Sequence, residues 1–150
     1  MTSSLRRRTA LVVVPAASVL ALICLAGCSS LTETMRNEAS HEFATQAELA
    51  DGWDKSAPWV PNDAVDISTH ESSSGDSASL IAVSGTRLDP TQCVEVERQS
   101  SPSFTLDDAP NVYKADMVFA CGDWAVVPTG DGWYGWTPNH PDEKAASPAP

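Results

Sequence analysis

The chain has 150 residues, with 20 acidic and 9 basic side chains, a formal charge of -11 and 42% hydrophobic residues. This length is typical of one domain and is short for two. Proteins that bind nucleic acid usually neutralise its phosphates with Lys and Arg clusters, so the acidic balance argues against nucleic acid as a partner. Residues 1–27 contain three bases and no acid, and their removal leaves 6 bases against 20 acids, a net charge of -14.

The amino terminus has the layout of a secretory signal. Residues 6–8 are three arginines, residues 11–26 are uncharged and rich in Val, Leu and Ala, and Gly27 stands before Cys28. A basic head, a short apolar core and small residues at the cut are typical of signal peptides. The apolar run of 16 residues is shorter than the roughly 20 that a helix needs to span the hydrocarbon of a bilayer.

The boundary Leu25-Ala26-Gly27-Cys28 resembles the lipobox of bacterial lipoproteins, in which an aliphatic residue, a small residue and Gly or Ala precede a cysteine. The resemblance implies that Cys28 receives a diacylglyceryl thioether, with palmitate as a typical chain, and that the signal is cut before it. Two acyl chains hold a protein on a membrane where one holds it only marginally. The expected location is the outer face of the cell membrane, with a plain secreted protein or a single-pass anchor as alternatives.

Composition divides the chain into four segments. Residues 1–27 are the predicted signal peptide, and residues 28–39 are a polar tether. Residues 40–137 are the predicted exported globular domain. Residues 138–150, in which Pro alternates with Ala, Ser and charged residues, are predicted to be a disordered tail.

Two cysteines remain in the exported part, since Cys24 leaves with the signal and Cys28 carries lipid. An exported domain with two cysteines has one internal pairing, so Cys93 and Cys121 are predicted to form a disulfide. Such a bridge contributes roughly 3 to 4 kcal/mol in the chain-entropy model. Two separate buried thiols are the alternative. Neither cysteine lies in a C-x-x-C pattern, which gives metal or redox chemistry little support.

The domain is predicted to open with a short helix from His41 to Asp51. Ser40 is a candidate cap, an apolar stripe begins at Phe43, and Gly52 ends the helix.

Short strands are predicted after this helix. Alternating apolar and polar residues, or short apolar runs between turn residues, mark each of them. The links are too short for crossover helices, so the strands should pair antiparallel. The predicted fold class is α+β, with one short amino-terminal helix packed on an antiparallel sheet of about six strands and one disulfide. The predicted strands are 65–70, 78–84, 94–97, 117–121, 124–127 and 133–136.

The chain lacks complete catalytic motifs. His41-Glu42 and His70-Glu71 each begin the zinc protease pattern H-E-x-x-H, but Thr45 and Ser74 stand where the second His must fall. Solvated histidines are therefore the simpler interpretation, and this also holds for His140 in the tail. Hydrolase elbows, Gly-rich phosphate loops and dinucleotide fingerprints are absent from the sequence.

Paired carboxylates occur at Glu95 and Glu97, and at Asp107 and Asp108. A glycosidase needs two carboxyls facing each other across a cleft, whereas neighbouring acids on a strand or loop usually only solvate it. No catalytic residue, metal site or cofactor is predicted.

Aromatic residues are dense near the end of the domain. Trp133, Tyr134 and Trp136 are candidate contact residues, because exposed aromatic rings on a sheet can stack on sugars or dock a partner. Strand alternation places Trp133 on the face opposite Tyr134 and Trp136. The alternative is that these rings fill both sides of a small core.

The run 59–64 before the first predicted strand, the Cys93 and Cys121 pair, and the run 133–136 are together similar to small uncharacterised actinobacterial lipoproteins and membrane-anchored proteins. The resemblance covers about residues 59–137. It implies an exported single domain and carries no reaction and no catalytic residue.

The sequence favours a non-enzymatic, lipid-anchored envelope protein that binds another envelope protein or a cell-wall glycan. The first alternative is a small envelope hydrolase that acts on a wall polymer. The second is a structural surface lipoprotein without a binding partner.

Overall fold

The computed structural model describes residues 37–149. The predicted signal peptide, the predicted lipidation site Cys28 and residues 28–36 of the predicted tether lie outside the described residues. Between residues 37 and 149, no helix is both long enough and apolar enough to cross a bilayer.

The described chain is mainly β-structure. Its strands are β1 (Glu38–Thr45), β2 (Val65–Ser72), β3 (Ala78–Val83), β4 (Val94–Glu97), β5 (Met117–Cys121), β6 (Trp124–Pro128) and β7 (Gly132–Thr137). Its helices are α1 (Gln46–Gly52), a 3₁₀ turn (Val112–Lys114) and α2 (Pro141–Ala146).

All of these strands form one antiparallel sheet in the order β1-β2-β3-β7-β6-β5-β4. The predicted antiparallel sheet is confirmed, and each of the six predicted strands is present. The sheet has seven strands, because a strand that the sequence did not indicate, β1, pairs with β2. The last strand, β7, lies in the middle of the sheet between β3 and β6.

The predicted amino-terminal helix is wrong in its first half. Residues His41 to Thr45 belong to β1, and the helix α1 begins only at Gln46. Ala39, His41 and Phe43 face the same side as their partners in β2, so the segment has the period of a strand as well as a partial helical stripe. Pairing along the whole of β2 provides backbone hydrogen bonds and a packed site for Phe43, which outweigh a weak local helical preference.

The start of α1 is fixed by a reciprocal cap. Thr45 Oγ1 accepts a hydrogen bond from Glu48 N at 3.3 Å, and Glu48 Oε2 accepts one from Ala44 N at 2.9 Å. This closely follows the Thr-x-x-Glu capping pattern, which satisfies backbone N–H groups at a helix start. The pattern is visible in the sequence and places the helix start at Gln46, five residues later than the predicted start at His41.

The central strands of the sheet are buried on both faces. Residues of β6 alternate between two hydrophobic clusters: Trp124 and Val126 belong to one, and Ala125 and Val127 to the other. The first, the Trp124 cluster, also includes Leu49 of α1 and Trp59 of the loop before β2. The second, the Trp136 cluster, includes Tyr134, Trp136, Val112 and Val118.

The predicted disulfide is confirmed between Cys93 and Cys121. Cys93 precedes β4 and Cys121 ends β5, and both belong to the Trp124 cluster. The bridge therefore links the segment before the edge strand β4 to the end of the neighbouring strand β5.

The carboxyl-terminal segment was predicted to be disordered, but it forms helix α2, which contacts β4 and β5. His140 caps α2 by accepting a hydrogen bond from Asp142 N, and Glu143 reaches back to His140 N. Glu143 is 1% exposed. Composition pointed to disorder because this segment has few large apolar residues, whereas a capping box and one buried carboxylate hold it to the domain.

Candidate functional site

An open groove of about 970 Å³ lies over one end of the sheet. Its floor comes from the middle of β1, the first half of β2 and the end of β3. One wall is the loop segment 105–108, and the other is the turn 129–131 between β6 and β7. This volume is within the range of about 300 to 1,000 Å³ that is typical of ligand sites.

The walls of the groove are acidic. Its lining contains carboxylates from four separate elements of the chain and contains neither Lys nor Arg. All five carboxylates are exposed, and none has an ion-pair partner within residues 37–149. Such a concave surface of one charge sign concentrates oppositely charged ligands. The residues are Glu42, Asp66, Asp107, Asp108 and Asp131.

A bulge in β2 places Asp66 in the groove. The register between β2 and β3 shifts between Val65 and Ser68, and Asp66 has a positive φ of 49°. Bulges change the direction of a side chain and end regular pairing, and Asp is among the few residues that tolerate the left-handed region. Glu42 lies across from Ser68 in the β1–β2 pair. The floor therefore carries two carboxylates close to the irregular part of the sheet.

The loop wall is held by the core. The carbonyl oxygen of Phe104 accepts hydrogen bonds from Ser79 Oγ at 2.8 Å and from Tyr134 Oη at 2.9 Å. The backbone then leads into Asp107 and Asp108, of which Asp108 has a positive φ of 62°. Two buried hydroxyl groups thus fix the height of this wall above the sheet.

His70 connects the floor of the groove to the same loop. Its ring stacks on Phe104 with a centroid distance of 4.7 Å and an interplanar angle of 12°. His70 Nε2 lies 3.2 Å from Glu38 Oε2. His70 is therefore a packed and paired residue rather than the solvated histidine that the sequence suggested.

His41 lies on the opposite face of the β1–β2 pair, where Glu71 gathers several donors. Glu71 Oε2 accepts a hydrogen bond from Trp53 Nε1 at 3.1 Å and lies 3.7 Å from Lys55 Nζ. His41 Nε2 lies 3.3 Å from Glu71 Oε1. Glu71 is buried. Through these contacts its carboxylate connects β1, β2 and the segment at the end of α1.

The predicted contact residues of β7 do not lie at a free surface. Trp136 is 0% exposed and Tyr134 is 1% exposed. Their polar atoms are also used, since Trp136 Nε1 donates to Ser100 Oγ and Tyr134 Oη donates to Phe104 O. Burial raises the pKa of Tyr134, and the hydrogen bond between Tyr134 and Ser79 lowers this pKa by a smaller amount.

Trp133 lies on the other face, as predicted, and is half-buried. Its ring packs edge-on against Phe119, and its Nε1 donates to Thr86 O at 2.9 Å. The structure thus has the arrangement given as the alternative, in which the aromatic residues fill both sides of the core. In this arrangement Tyr134 and Trp136 present almost no accessible surface.

The two predicted carboxylate pairs have different surroundings. Glu95 and Glu97 are exposed on the edge strand β4, away from the groove. Asp107 and Asp108 lie in the groove wall, where the fold adds Glu42, Asp66 and Asp131. Within the described part of the chain, no three His, Cys, Asp or Glu side chains are arranged to hold a metal ion.

The chain matches no protein-family model, no curated protein and no solved structure. The function is therefore argued from the groove itself. Its open shape and exposed carboxylates suit a ligand that is cationic and is held at several points, because each exposed charge pair contributes only about 0 to 1 kcal/mol.

Proposed function

We propose that the protein is a non-enzymatic, lipid-anchored envelope protein that binds a cationic segment of another envelope protein through the acidic groove. The observation that carries this proposal is the collection of five carboxylates without an ion-pair partner in the described chain, along one concave surface whose lining contains neither Lys nor Arg. A groove of this charge attracts a Lys- and Arg-rich segment from a distance and fixes its register on contact.

The walls of the groove support this proposal because they are pre-organised. The loop wall is fixed by the hydrogen bonds that Ser79 and Tyr134 donate to Phe104 O, and the floor consists of hydrogen-bonded strands. Little conformational entropy is lost when a ligand meets a surface whose backbone is already fixed. The aromatic residues that were predicted to contact the partner act in this proposal as the support of the groove.

The membrane part of the proposal rests on the lipobox at Leu25-Ala26-Gly27-Cys28. Labelled palmitate should enter the wild-type protein in cells and should not enter a Cys28→Ala variant. Mass spectrometry should find a diacylglyceryl-modified cysteine at the amino terminus of the mature chain. Processing that continues in the presence of globomycin, with no palmitate incorporated, would contradict the anchor.

The groove is tested by binding of a decalysine peptide to the purified protein, measured by calorimetry at low salt. The Asp107→Asn/Asp108→Asn variant should bind it about tenfold more weakly, the equivalent of about 1.4 kcal/mol. The matched control is Glu95→Gln/Glu97→Gln, which removes the same charge from β4 at the edge of the sheet.

The control decides between a site and a general attraction. If both variants lose the same affinity, the peptide responds to net charge and the groove is not the site. Binding of decaglutamate, or of soluble wall glycan in preference to decalysine, would also contradict a cationic partner.

A wall-polymer hydrolase remains the second candidate, because the groove brings carboxylates of separate elements to facing walls. The general acid of a glycosidase usually sits in apolar surroundings, whereas these five side chains are exposed. Release of reducing ends from purified wall by the wild type, and its loss in both Glu42→Gln and Asp107→Asn, would establish the hydrolase and overturn the non-enzymatic proposal.

A further inference from the structure

An apolar strip, formed by Ile81, Val83 and Leu106, lies inside the acidic groove. All three side chains line the groove and are partly exposed. Ile81 and Val83 are two positions apart on β3, so they lie on the same face of the sheet. Ile81 and Leu106 also pack against the Trp136 cluster, which holds them in place. Val65, which lies opposite Val83 in the β2–β3 pair, is 40% exposed and extends the apolar surface toward β2.

The sheet register places a carboxylate beside the strip on the floor of the groove. Glu42 of β1 lies opposite Ser68 of β2, and Ser68 lies opposite Ile81 of β3. Side chains that lie opposite each other in a pair of strands share one face of the sheet. Glu42 is therefore two strand spacings, or about 10 Å, from Ile81 across the sheet.

Carboxylates also lie beside the strip on both walls of the groove. The backbone carbonyl of Asp131 accepts a hydrogen bond from Ser84 N at 3.0 Å, which places Asp131 beside the end of β3 that carries Val83. Asp107 directly follows Leu106 in the loop wall. The strip is thus surrounded by negative charge from three separate parts of the chain.

We infer that the cationic segment bound by the groove carries an apolar side chain between its Lys or Arg residues, and that this side chain contacts the apolar strip. The inference rests on the proposed function of the groove. Exposed charge pairs are individually weak and are screened by salt, so they discriminate little between segments of equal charge. An apolar side chain that leaves water in the middle of the groove adds affinity that does not depend on charge.

The arrangement matches the usual anatomy of a protein interface, with apolar contacts at its centre and polar groups around them. A purely apolar ligand fits poorly, because it would cover carboxylates without pairing them. A uniformly cationic segment covers the strip only with the methylene stems of its Lys side chains. A segment with leucine at that place buries more apolar surface and keeps cations on either side.

The test compares two peptides of equal charge, in which leucine or serine stands between two runs of four lysines. Binding to the purified protein is measured by calorimetry at low salt and at physiological salt. The wild type should bind the leucine peptide about tenfold more tightly, as expected when part of a leucine side chain is buried. This preference should persist at physiological salt, although both affinities fall.

Two variants assign the preference to the strip. Val83→Thr keeps a β-branched residue in β3 but replaces a methyl group with a hydroxyl, and should reduce the preference to about threefold. The matched control is Val94→Thr, at a 36% exposed position of the edge strand β4 outside the groove, which should keep the full preference. Leu106→Ala alters the strip from the loop wall and should also reduce the preference, so the test does not depend on β3 alone.

The outcomes separate this inference from the proposed function. If neither peptide binds, the groove is not a site for cationic segments and both proposals fail. If the wild type binds the two peptides equally, the groove remains a site for cations and the apolar contact is wrong. A preference that is unchanged in both Val83→Thr and Leu106→Ala, or reduced equally by Val94→Thr, would place the apolar contact outside the strip.

Discussion

At the scale of single residues, packing around β7 depends on the absence of a side chain at Gly135. A Cβ built at this position would lie 2.5 Å from Trp59 Cζ2 and 3.3 Å from Trp124 Cε3. The two indole rings are buried and contact each other at a centroid distance of 5.8 Å. The Trp124 cluster therefore packs two of its largest side chains, Trp59 and Trp124, directly against the backbone of β7 at Gly135.

We expect Gly135→Ala to lower the free energy of unfolding by about 1 to 3 kcal/mol, because Trp59 must move and its neighbours leave it little space. Urea unfolding followed by tryptophan fluorescence measures this change. Gly130→Ala is the matched control, since a Cβ at Gly130 meets no atom within 4 Å, and a change below about 0.5 kcal/mol is expected there. Equal stability of the wild type and Gly135→Ala would show that the Trp59 ring is loosely held.

At the scale of elements, one buried carboxylate attaches α2 to the rest of the domain. Glu143 Oε1 accepts hydrogen bonds from Gln99 N at 2.6 Å and Ser100 N at 3.0 Å. Glu143 Oε2 accepts from Ser100 Oγ at 2.6 Å and from His140 N at 2.9 Å. Burial acts to raise the pKa of Glu143, but these hydrogen bonds outweigh it and the pKa lies below its usual value.

We expect Glu143→Gln to lower the free energy of unfolding at pH 7 by about 1 to 3 kcal/mol, because the amide NH₂ turns a donor toward groups that are themselves donors. The folded-state pKa is depressed, so the ionised carboxylate stabilises the fold above the unfolded value of 4.5. This stabilisation is lost as the pH falls through the folded-state pKa. The difference between wild type and variant should therefore shrink in acid.

Urea unfolding at pH 7 and at pH 3 measures that difference. The control is Asp142→Asn, which removes the same charge from an exposed neighbour in α2 and should change stability by less than about 1 kcal/mol. A Glu143→Gln deficit that stays constant from pH 7 to pH 3 would contradict the assignment of the effect to the carboxylate.

Local sequence patterns predicted the strands whose apolar residues follow the period of a strand and are buried in the folded sheet. The strands from β2 to β7 alternate or are continuously apolar, and short turns separate most of them, so their positions followed from the sequence. β1 could not be identified in the same way, because residues 41–45 fit a helix and an edge strand equally well and only pairing with β2 decides between them. The helix α2 depends on a contact between Glu143 and residues 99–100, which are more than 40 positions away.

The groove was not predicted from the sequence, for a related reason. Asp107 and Asp108 are adjacent in the sequence, but a local pattern does not show which residues face them in the fold. Asp131 joins them only because β7 lies between β3 and β6, so that the β6–β7 turn meets the end of β3. Asp66 joins them through a bulge that the alternation of β2 did not reveal. Sites assembled by strand order in this way require the fold before they can be identified.

At the scale of the whole molecule, negative charge is in large excess. Residues 28–150 carry 20 acidic and 6 basic side chains. Of the ion pairs between residues 37 and 149, two involve a lysine, Lys55 with Glu71 and Lys144 with Asp123, and the others involve histidines. Repulsion among the carboxylates therefore exceeds the attraction within the ion pairs. Folding increases this repulsion because it brings the carboxylates closer together. The groove keeps a strong negative field at a cost in stability to the fold.

We expect salt to stabilise the protein. Raising NaCl from 10 to 500 mM shortens the screening length from about 30 Å to a few ångströms, which weakens repulsion across the surface. The free energy of unfolding in urea should rise by an amount on the order of 1 kcal/mol, the size of a few exposed charge interactions. The Asp107→Asn/Asp108→Asn variant should gain less than the wild type, because part of the repulsion has already been removed. KCl should act like NaCl if screening is the cause, and a protein that loses stability in both salts would show instead that its few ion pairs outweigh the repulsion of the groove.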